Sequence, residues 1–128
     1  MSTHKPVVAV VDDDPRLLES MEDLLESAGY TARTFSSAAS LIGRLAGIEV
    51  LITDIGMPGM NGFELRDLVR ETRPNLPIFL ITGRHEIVDQ DRAQGVSGFF
   101  RKPFDAQALL GAVSEALRNR DKGGPDET

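Results

Sequence analysis

The alternation of short apolar runs with helical or polar stretches constrains the fold more than any other feature of this sequence. Short runs rich in Val, Ile, Leu and Phe predict buried strands, whereas apolar residues recurring every three or four positions predict amphipathic helices. The predicted strands cover residues 6–11, 30–35, 48–53, 76–81 and 96–101. Strands that alternate with helices form a parallel sheet with helices on both faces, so the sequence predicts a single α/β domain.

The first two connections between these strands carry helical signals. Asp14 and Pro15 predict the start of a first helix, because an acid caps the first turn and proline fits its first position. Gly29 predicts the end of that helix. Ser36 or Ser37 is the expected cap of a second helix. The apolar face predicted for this second helix consists of Leu41, Ile42 and Leu45.

The later connections differ in how clearly they predict a helix. Asn61, with Glu64 three residues later, has the pattern of a capping box and predicts the start of a third helix, which Pro74 ends. The stretch 83–95 is polar and weakly periodic, and we expect a short helix there. Asp105 is the expected cap of a final helix. The inward residues predicted for that helix are Leu109, Leu110, Val113, Ala116 and Leu117.

Composition excludes several classes of protein. A chain of 128 residues with 41% hydrophobic residues has the size and core of one domain. We expect an N-terminal extension (1–5), one domain (6–119) and a polar C-terminal tail or linker stub (120–128). No run is apolar enough to insert into a membrane, and the start lacks a signal-peptide pattern. With no cysteine and a net charge of −6, the chain is expected to be cytoplasmic and not to bind nucleic acid directly.

Polar residues follow four of the predicted strands at their carboxyl ends. Asp12 and Asp13 follow the first strand, Asp54 the third, Thr82 the fourth and Lys102 the fifth. Because parallel strands bring their carboxyl ends to one edge of a sheet, these groups are expected to share a pocket. Clustered carboxylates repel one another, by about 4 kcal/mol for a pair about 4 Å apart at an effective dielectric of about 20. Hard oxygen ligands suit Mg²⁺, which would offset this repulsion.

Four stretches, VVDDDP, LITDIGMPGMNG, FLITG and FFRKPF, occur in an order and spacing that resembles the receiver domain of bacterial two-component response regulators. The resemblance covers about residues 6–119. It implies a doubly wound, flavodoxin-like domain with a five-stranded parallel sheet of order 2-1-3-4-5. It also implies a phosphoacceptor signalling domain, with self-catalysed phosphotransfer and dephosphorylation only, and not an enzyme.

The resemblance assigns a role to each polar group at the sheet edge. Asp54 would be the phosphoacceptor, attacking a phosphohistidine on a partner kinase. The ligands of Mg²⁺, which Mn²⁺ could replace, would be Asp12, Asp13, Asp54 and the backbone carbonyl of Gly56. The transferred phosphoryl group would be bound by Thr82, Gly83 and Lys102.

The resemblance further implies a conformational switch formed by Thr82 and Phe99, and a cis peptide bond between Lys102 and Pro103. Phenylalanine has no hydroxyl, so packing alone would select the positions of Phe99. The implied partners are a sensor histidine kinase or phosphotransfer protein and an output domain or effector beyond residue 128. A phosphorylation-linked homodimer is a further expectation.

Two other functions compete with this interpretation. A receiver fold used only for protein interaction would be inert to phosphorylation, but such a chain is expected to have lost part of its acid set or Lys102. A haloacid-dehalogenase-like phosphatase would use Asp12 as nucleophile and Asp14 as general acid. That function leaves Asp54 without a role, and Asp14 competes as a helix cap because Pro15 follows it.

Overall fold

The computed structural model describes residues 4–83 and 95–122, with side chains as far as residue 119. The strands are β1 (Val7–Val11), β2 (Thr31–Phe35), β3 (Val50–Asp54), β4 (Ile78–Thr82) and β5 (Gly98–Arg101). The helices are α1 (Pro15–Ser27), α2 (Ala38–Leu41), α3 (Gly62–Thr72) and α4 (Ala106–Lys122). Among the described residues, no helix is both long and apolar enough to cross a membrane.

The five strands form one parallel sheet with the order β2-β1-β3-β4-β5, which confirms the predicted α/β fold and strand order. Three strands begin two residues later than predicted. Ile48 and Leu76, for example, are buried but precede the paired residues of β3 and β4. The reason is that a run of apolar residues indicates which residues are buried, whereas the strand starts only at the first residue whose backbone pairs with a neighbouring strand.

Alternate residues of each strand enter two separate cores, one on each face of the sheet. Helices α1 and α4 cover one face, and α2 and α3 cover the other. The first core includes Val8, Val10, Met21, Leu25, Leu109 and Val113. The second core includes Ala9, Val11, Leu41, Leu65, Val69 and Leu80. Burial on both faces explains why the central strands are apolar without alternation.

The predicted helix starts are confirmed by their caps. The Asp14 side chain accepts a hydrogen bond from the Arg16 N–H at 3.0 Å, with Pro15 in the first turn. Asn61 and Glu64 form a reciprocal capping box at the start of α3, with both bonds at 2.9 Å. These local bonds satisfy backbone N–H groups that the helix leaves without internal partners.

The second helix is shorter than predicted. Ser37 caps it as expected, but it ends at Leu41, and Ile42 is 45% exposed instead of joining an apolar face. Gly43 and Gly47 both have positive φ angles, which an α-helix does not contain. Residues 42–49, here called the α2–β3 segment, therefore follow an irregular path.

Arg73, at the end of α3, holds the α2–β3 segment in place. Its guanidinium donates hydrogen bonds of 2.8 Å to the backbone carbonyls of both Leu45 and Ile48. One side chain thus satisfies two carbonyls that a longer helix or strand would have paired. The short helix expected within residues 83–95 falls almost entirely on residues 84–94, which lie outside the described part of the chain.

Candidate functional site

The three consecutive aspartates after β1 lie in three different environments. Asp12 is completely buried, and its Oδ1 accepts a hydrogen bond from the Asp14 N–H at 2.8 Å. Asp13 is exposed. Asp14 is exposed as well and caps α1, which is the role expected of it as a helix cap. The charge run therefore divides into one buried group, one solvated group and one cap.

Asp54 is the last residue of β3 and is 4% exposed. One oxygen from each of the Asp12, Asp13 and Asp54 carboxylates lies within 4.8 Å of the others. Strands β1 and β3 are neighbours, so their carboxyl ends bring residues that are far apart in sequence to one point. Three carboxylates, of which one is exposed, form a donor set that fits a hard divalent cation such as Mg²⁺.

Lys102 completes this cluster, which we call the acid pocket (Asp12, Asp13, Asp54 and Lys102). Its Nζ lies 3.0 Å from Asp12 Oδ2 and 3.6 Å from Asp54 Oδ1. The Lys102 N–H donates to the Thr82 carbonyl at 2.8 Å, and the Lys102–Pro103 peptide bond is cis. This backbone bond to the end of β4 helps to position the Lys102 ammonium group beside the buried carboxylates of Asp12 and Asp54.

Burial dominates the electrostatics of Asp12. It raises the pKa of this carboxyl, while the hydrogen bonds from the Asp14 N–H and Lys102 oppose that effect and the charge of Asp13 adds to it. Burial alone would lower the pKa of Lys102, but the hydrogen bond and charge of Asp12, together with Asp54, outweigh it and raise the pKa. Lys102 therefore stays protonated at neutral pH.

Thr82 and Phe99 lie on the two strands at the far side of the acid pocket. Thr82 ends β4, is completely buried, and donates through Oγ1 to the Gly83 carbonyl at 3.4 Å. Phe99 is half-buried on β5, is in register with Leu80, and packs against the core on the α2 and α3 face. A hydroxyl and an aromatic ring thus flank the strand end that leads to Lys102.

Gly62, the first residue of α3 after the loop that follows β3, is a positioning residue that sequence reasoning missed. The Gly62 N–H donates to the Ile55 carbonyl at 3.0 Å. A Cβ at position 62 would lie 2.6 Å from the Asp54 carbonyl oxygen and 2.9 Å from Ile55 Cα. Only glycine permits this approach, because such a contact with backbone forces the backbone to move. The sequence did contain a signal for this close approach. Gly62 directly follows the capping residue Asn61, at the end of the loop that begins after Asp54.

Comparisons with known proteins agree with this site and fold. The family model for the response regulator receiver domain matches residues 8–114. Response regulator protein TmoT of Ectopseudomonas mendocina is 36% identical, with 92% of this chain and 56% of TmoT covered. The C4-dicarboxylate transport transcriptional regulatory protein DctD of Rhizobium meliloti is 35% identical, with 90% of this chain and 26% of DctD covered.

Solved structures give the same result. A response regulator receiver protein from Sinorhizobium medicae is 31% identical and superposes with a TM-score of 0.81, covering 93% of this chain and 99% of that structure. The chain spans about half the length of the first curated relatives that it matches. The sheet order, the strand-end acids and these likenesses therefore lead to one family.

Proposed function

This chain belongs to the response regulator receiver domain family, and we propose on that basis that it accepts a phosphoryl group on Asp54. An oxygen of the Asp54 carboxylate attacks the phosphorus of a phosphohistidine on a sensor histidine kinase or phosphotransfer protein. The new O–P bond forms as the P–N bond breaks, and the imidazole nitrogen keeps the electron pair of that bond. The product is an acyl phosphate on Asp54.

The observation that carries this proposal is the placement of Asp54 within the acid pocket. Its carboxylate is almost completely buried, lies near Asp12 and Asp13, and has the Lys102 ammonium 3.6 Å away. A phosphoryl group in transfer carries negative charge on its equatorial oxygens, so a fixed cation beside the nucleophile lowers the barrier. An isolated surface aspartate would lack this stabilisation.

A divalent cation fits the donor set, and Asp12, Asp13, Asp54 and the Gly56 carbonyl are the groups that would hold it. Bound Mg²⁺, or Mn²⁺ in its place, would supply positive charge to the phosphoryl oxygens. Lys102, the Thr82 hydroxyl and the Gly83 N–H would bind the remaining oxygens. Movement of Thr82 toward the phosphoryl group, followed by inward rotation of Phe99, would form the conformational switch.

The switch needs an output, and the relatives indicate its kind. DctD is by name a transcriptional regulatory protein, and the matched relatives are longer than this chain. We therefore expect the phosphorylated domain to act in the bacterial cytoplasm on an output domain or effector, with a phosphorylation-linked homodimer as one means. The chain carries a net charge of −6, so direct nucleic-acid binding is assigned to such an output and not to this domain.

Intact mass after incubation with acetyl phosphate tests the proposal. Wild type with Mg²⁺ should gain the mass of one phosphoryl group, whereas wild type with EDTA and Asp54→Asn with Mg²⁺ should gain none. An adduct that persists in Asp54→Asn would move the acceptor to another residue and contradict the assignment.

The inert interaction module is the second candidate, and beryllofluoride separates it from a short-lived phosphoryl state. If no adduct forms, saturable binding of beryllofluoride with Mg²⁺ would still indicate a working acceptor whose phosphoryl group is lost quickly. The absence of both adduct and binding would support the inert module.

A further inference from the structure

An apolar groove lies between the start of the α2–β3 segment and α3, on the side of the domain that the short α2 leaves open. Its volume is about 350 Å³, and its larger apolar lining residues are Leu41, Ile42, Leu45, Leu65, Leu68 and Val69. Ile42, 45% exposed, is the large hydrophobic residue that stands out on the surface of the described chain. We call this feature the α2–α3 groove. Exposed apolar surface of this kind marks interaction sites.

The walls of the groove are held in place without a ligand. Arg73 fixes the outer wall by its two bonds to the Leu45 and Ile48 carbonyls, each 2.8 Å long. Turns within the same wall add backbone bonds, from the Arg44 N–H to the Leu41 carbonyl at 2.9 Å and from Ile48 to Leu45 at 3.1 Å. The opposite wall is a regular helix. A preformed groove loses little conformational entropy when a partner binds.

The charges beside the groove are arranged asymmetrically. Glu64, Asp67 and Glu71 are exposed on α3 at a spacing of three and four residues, which places them along one side of the helix next to Leu68. Arg44 is exposed on the opposite wall. Arg73 adds a second positive charge near that wall, since its guanidinium donates to the neutral carbonyls of Leu45 and Ile48. Asp67 is paired with the Arg66 guanidinium at 3.0 Å, so the negative charge on the α3 side comes from Glu64 and from Glu71, which lines the groove. We call these two glutamates the acidic row.

From these observations we propose that the α2–α3 groove docks an amphipathic helix of a partner protein. Apolar side chains of that helix, spaced three and four residues apart, enter the groove, and its Lys or Arg residues face the acidic row on α3. A small molecule is a poorer fit, because the polar groups of the lining, Glu71 and Thr72, lie together on α3 and do not converge from both walls.

A second copy of this chain is a poorer occupant than a basic partner helix. A two-fold interface would place the same acidic row on both sides, and each copy carries a net charge of −6. The groove is also lined by residues other than those of the acid pocket, so docking there can be measured on the unphosphorylated chain.

Methyl NMR titration of the full chain with two synthetic peptides tests this proposal. One peptide is an amphipathic helix of about 18 residues with Leu anchors and a Lys-rich flank, long enough to be partly helical in water. The other carries Glu in place of every Lys. We expect saturable shifts of the Ile42, Leu45 and Leu68 methyl signals with the Lys peptide, and affinity about tenfold lower with the Glu peptide.

Charge variants of the protein give the matched controls. Glu71→Lys should weaken binding of the Lys peptide and strengthen binding of the Glu peptide, whereas Arg44→Glu should change both affinities in the opposite direction. Glu19→Lys, on the exposed surface of α1, carries the same charge change away from the groove and should leave both affinities unaltered. All three variants should form the Asp54 adduct as wild type does, which separates this proposal from the proposed function.

Three results would overturn the proposal. One is the absence of saturable shifts at the groove methyl groups, and another is equal affinity for the two peptides. The third is a dimer of the wild-type chain in sedimentation analysis whose dissociation constant changes in Glu71→Lys. The occupant of the groove would then be a second copy of this chain.

Discussion

Lys102 in the acid pocket and Arg73 beside the α2–β3 segment are both partly buried cations, but they contact opposite kinds of partner. Lys102 contacts two ionisable carboxylates, at 3.0 and 3.6 Å. Arg73 donates to two neutral backbone carbonyls, both at 2.8 Å. The charge balance of the first arrangement would change if the proposed cation or phosphoryl group bound there. The second has no group that a ligand would displace, so it serves the architecture of the chain.

The contrast between the two cations indicates which substitutions should alter phosphorylation and which should alter the free energy of unfolding. In the acid pocket, the two buried carboxylates of Asp12 and Asp54 repel each other, and binding of the proposed cation would relieve that repulsion. In the α2–β3 segment, the carbonyls of Leu45 and Ile48 accept hydrogen bonds from Arg73, which meets the requirement that carbonyls withdrawn from water be paired. Variants in the acid pocket should therefore change the rate of phosphorylation, and variants at Arg73 should change the free energy of unfolding.

The largest expected effect is on phosphorylation rate in Lys102→Met. Removing the fixed cation beside Asp54 should slow formation of the acetyl phosphate adduct by about 10²- to 10³-fold, the usual loss when one charge-stabilising donor is removed. The measurement is the time course of adduct formation by intact mass in saturating Mg²⁺. Lys5→Met, at an exposed position, is the control. A rate equal to that of wild type would exclude a role for Lys102 in transfer.

Gly62→Ala should affect both kinds of measurement, because it links the α3 start to the Asp54 backbone. The added Cβ meets the Asp54 carbonyl at 2.6 Å, and overpacking of this kind lowers the free energy of unfolding by about 1–3 kcal/mol. Urea denaturation measures the loss, and the adduct rate should fall with it.

Gly111→Ala provides the matched comparison for Gly62→Ala. Gly111 lies within α4, and apart from its chain neighbours and the nearby backbone of its own helix no described atom lies within 4 Å of its Cβ position. Alanine there should raise the free energy of unfolding by about 0.5–1 kcal/mol, because it favours the helix. Equal effects of the two substitutions would mean that the close approach at Gly62 does not constrain the loop.

Arg73→Met should lower stability without altering phosphorylation. Loss of the two carbonyl bonds is expected to reduce the free energy of unfolding by about 1–2 kcal/mol, since Arg73 is only half-buried and water can partly replace it. Arg44→Met, at an exposed position in the same segment, should have little effect. The adduct rate is measured under conditions where Arg73→Met is fully folded. A rate slower than that of wild type would mean that Arg73 also affects phosphorylation of Asp54.

The smallest expected effect is a pH dependence that arises from Asp12. Burial raises the pKa of this carboxyl above its ordinary value of 3.8, so the folded state keeps the proton to higher pH than the unfolded state. In EDTA, this group's contribution to stability is complete below that ordinary value and is lost as pH rises through the raised pKa. The measurement is the free energy of unfolding from pH 4 to pH 7.

Asp12→Asn isolates that contribution, because asparagine does not titrate. In EDTA, the stability of the variant relative to wild type should increase from pH 4 to pH 7. Mg²⁺ should reduce the increase, since a cation favours the ionised carboxylate of wild type. A constant difference across this range would show that Asp12 ionises as readily in the folded as in the unfolded chain.

The sequence predicted the acid pocket well because parallel topology leaves few alternatives. Once Asp12, Asp13, Asp54 and Lys102 are placed directly after strands of one parallel sheet, they must meet at its carboxyl edge. The caps at Asp14 and Asn61 were predictable for a different reason, since their bonds reach only two or three residues along the chain.

The α2–β3 segment was not predictable from the same kind of pattern. Leu41, Ile42 and Leu45 have helical spacing, but Gly43 and Gly47 adopt positive φ and Arg73 supplies the missing partners from another element. The periodicity of apolar residues carries no information about the contact of Arg73 with Leu45 and Ile48, which are 28 and 25 residues away in the sequence. The close approach of Gly62 to the Asp54 backbone escaped notice for the same reason.

The α/β class, the order of the elements along the chain and the residues at the carboxyl edge could all be read from the sequence, because they follow from local periodicity and a restricted set of topologies. Three features became visible only in the folded chain: Asp12 is buried while Asp13 is exposed, Lys102 bridges two carboxylates, and a short α2 leaves an apolar groove open. Those features depend on distances between elements, and such distances are set by packing of the whole chain.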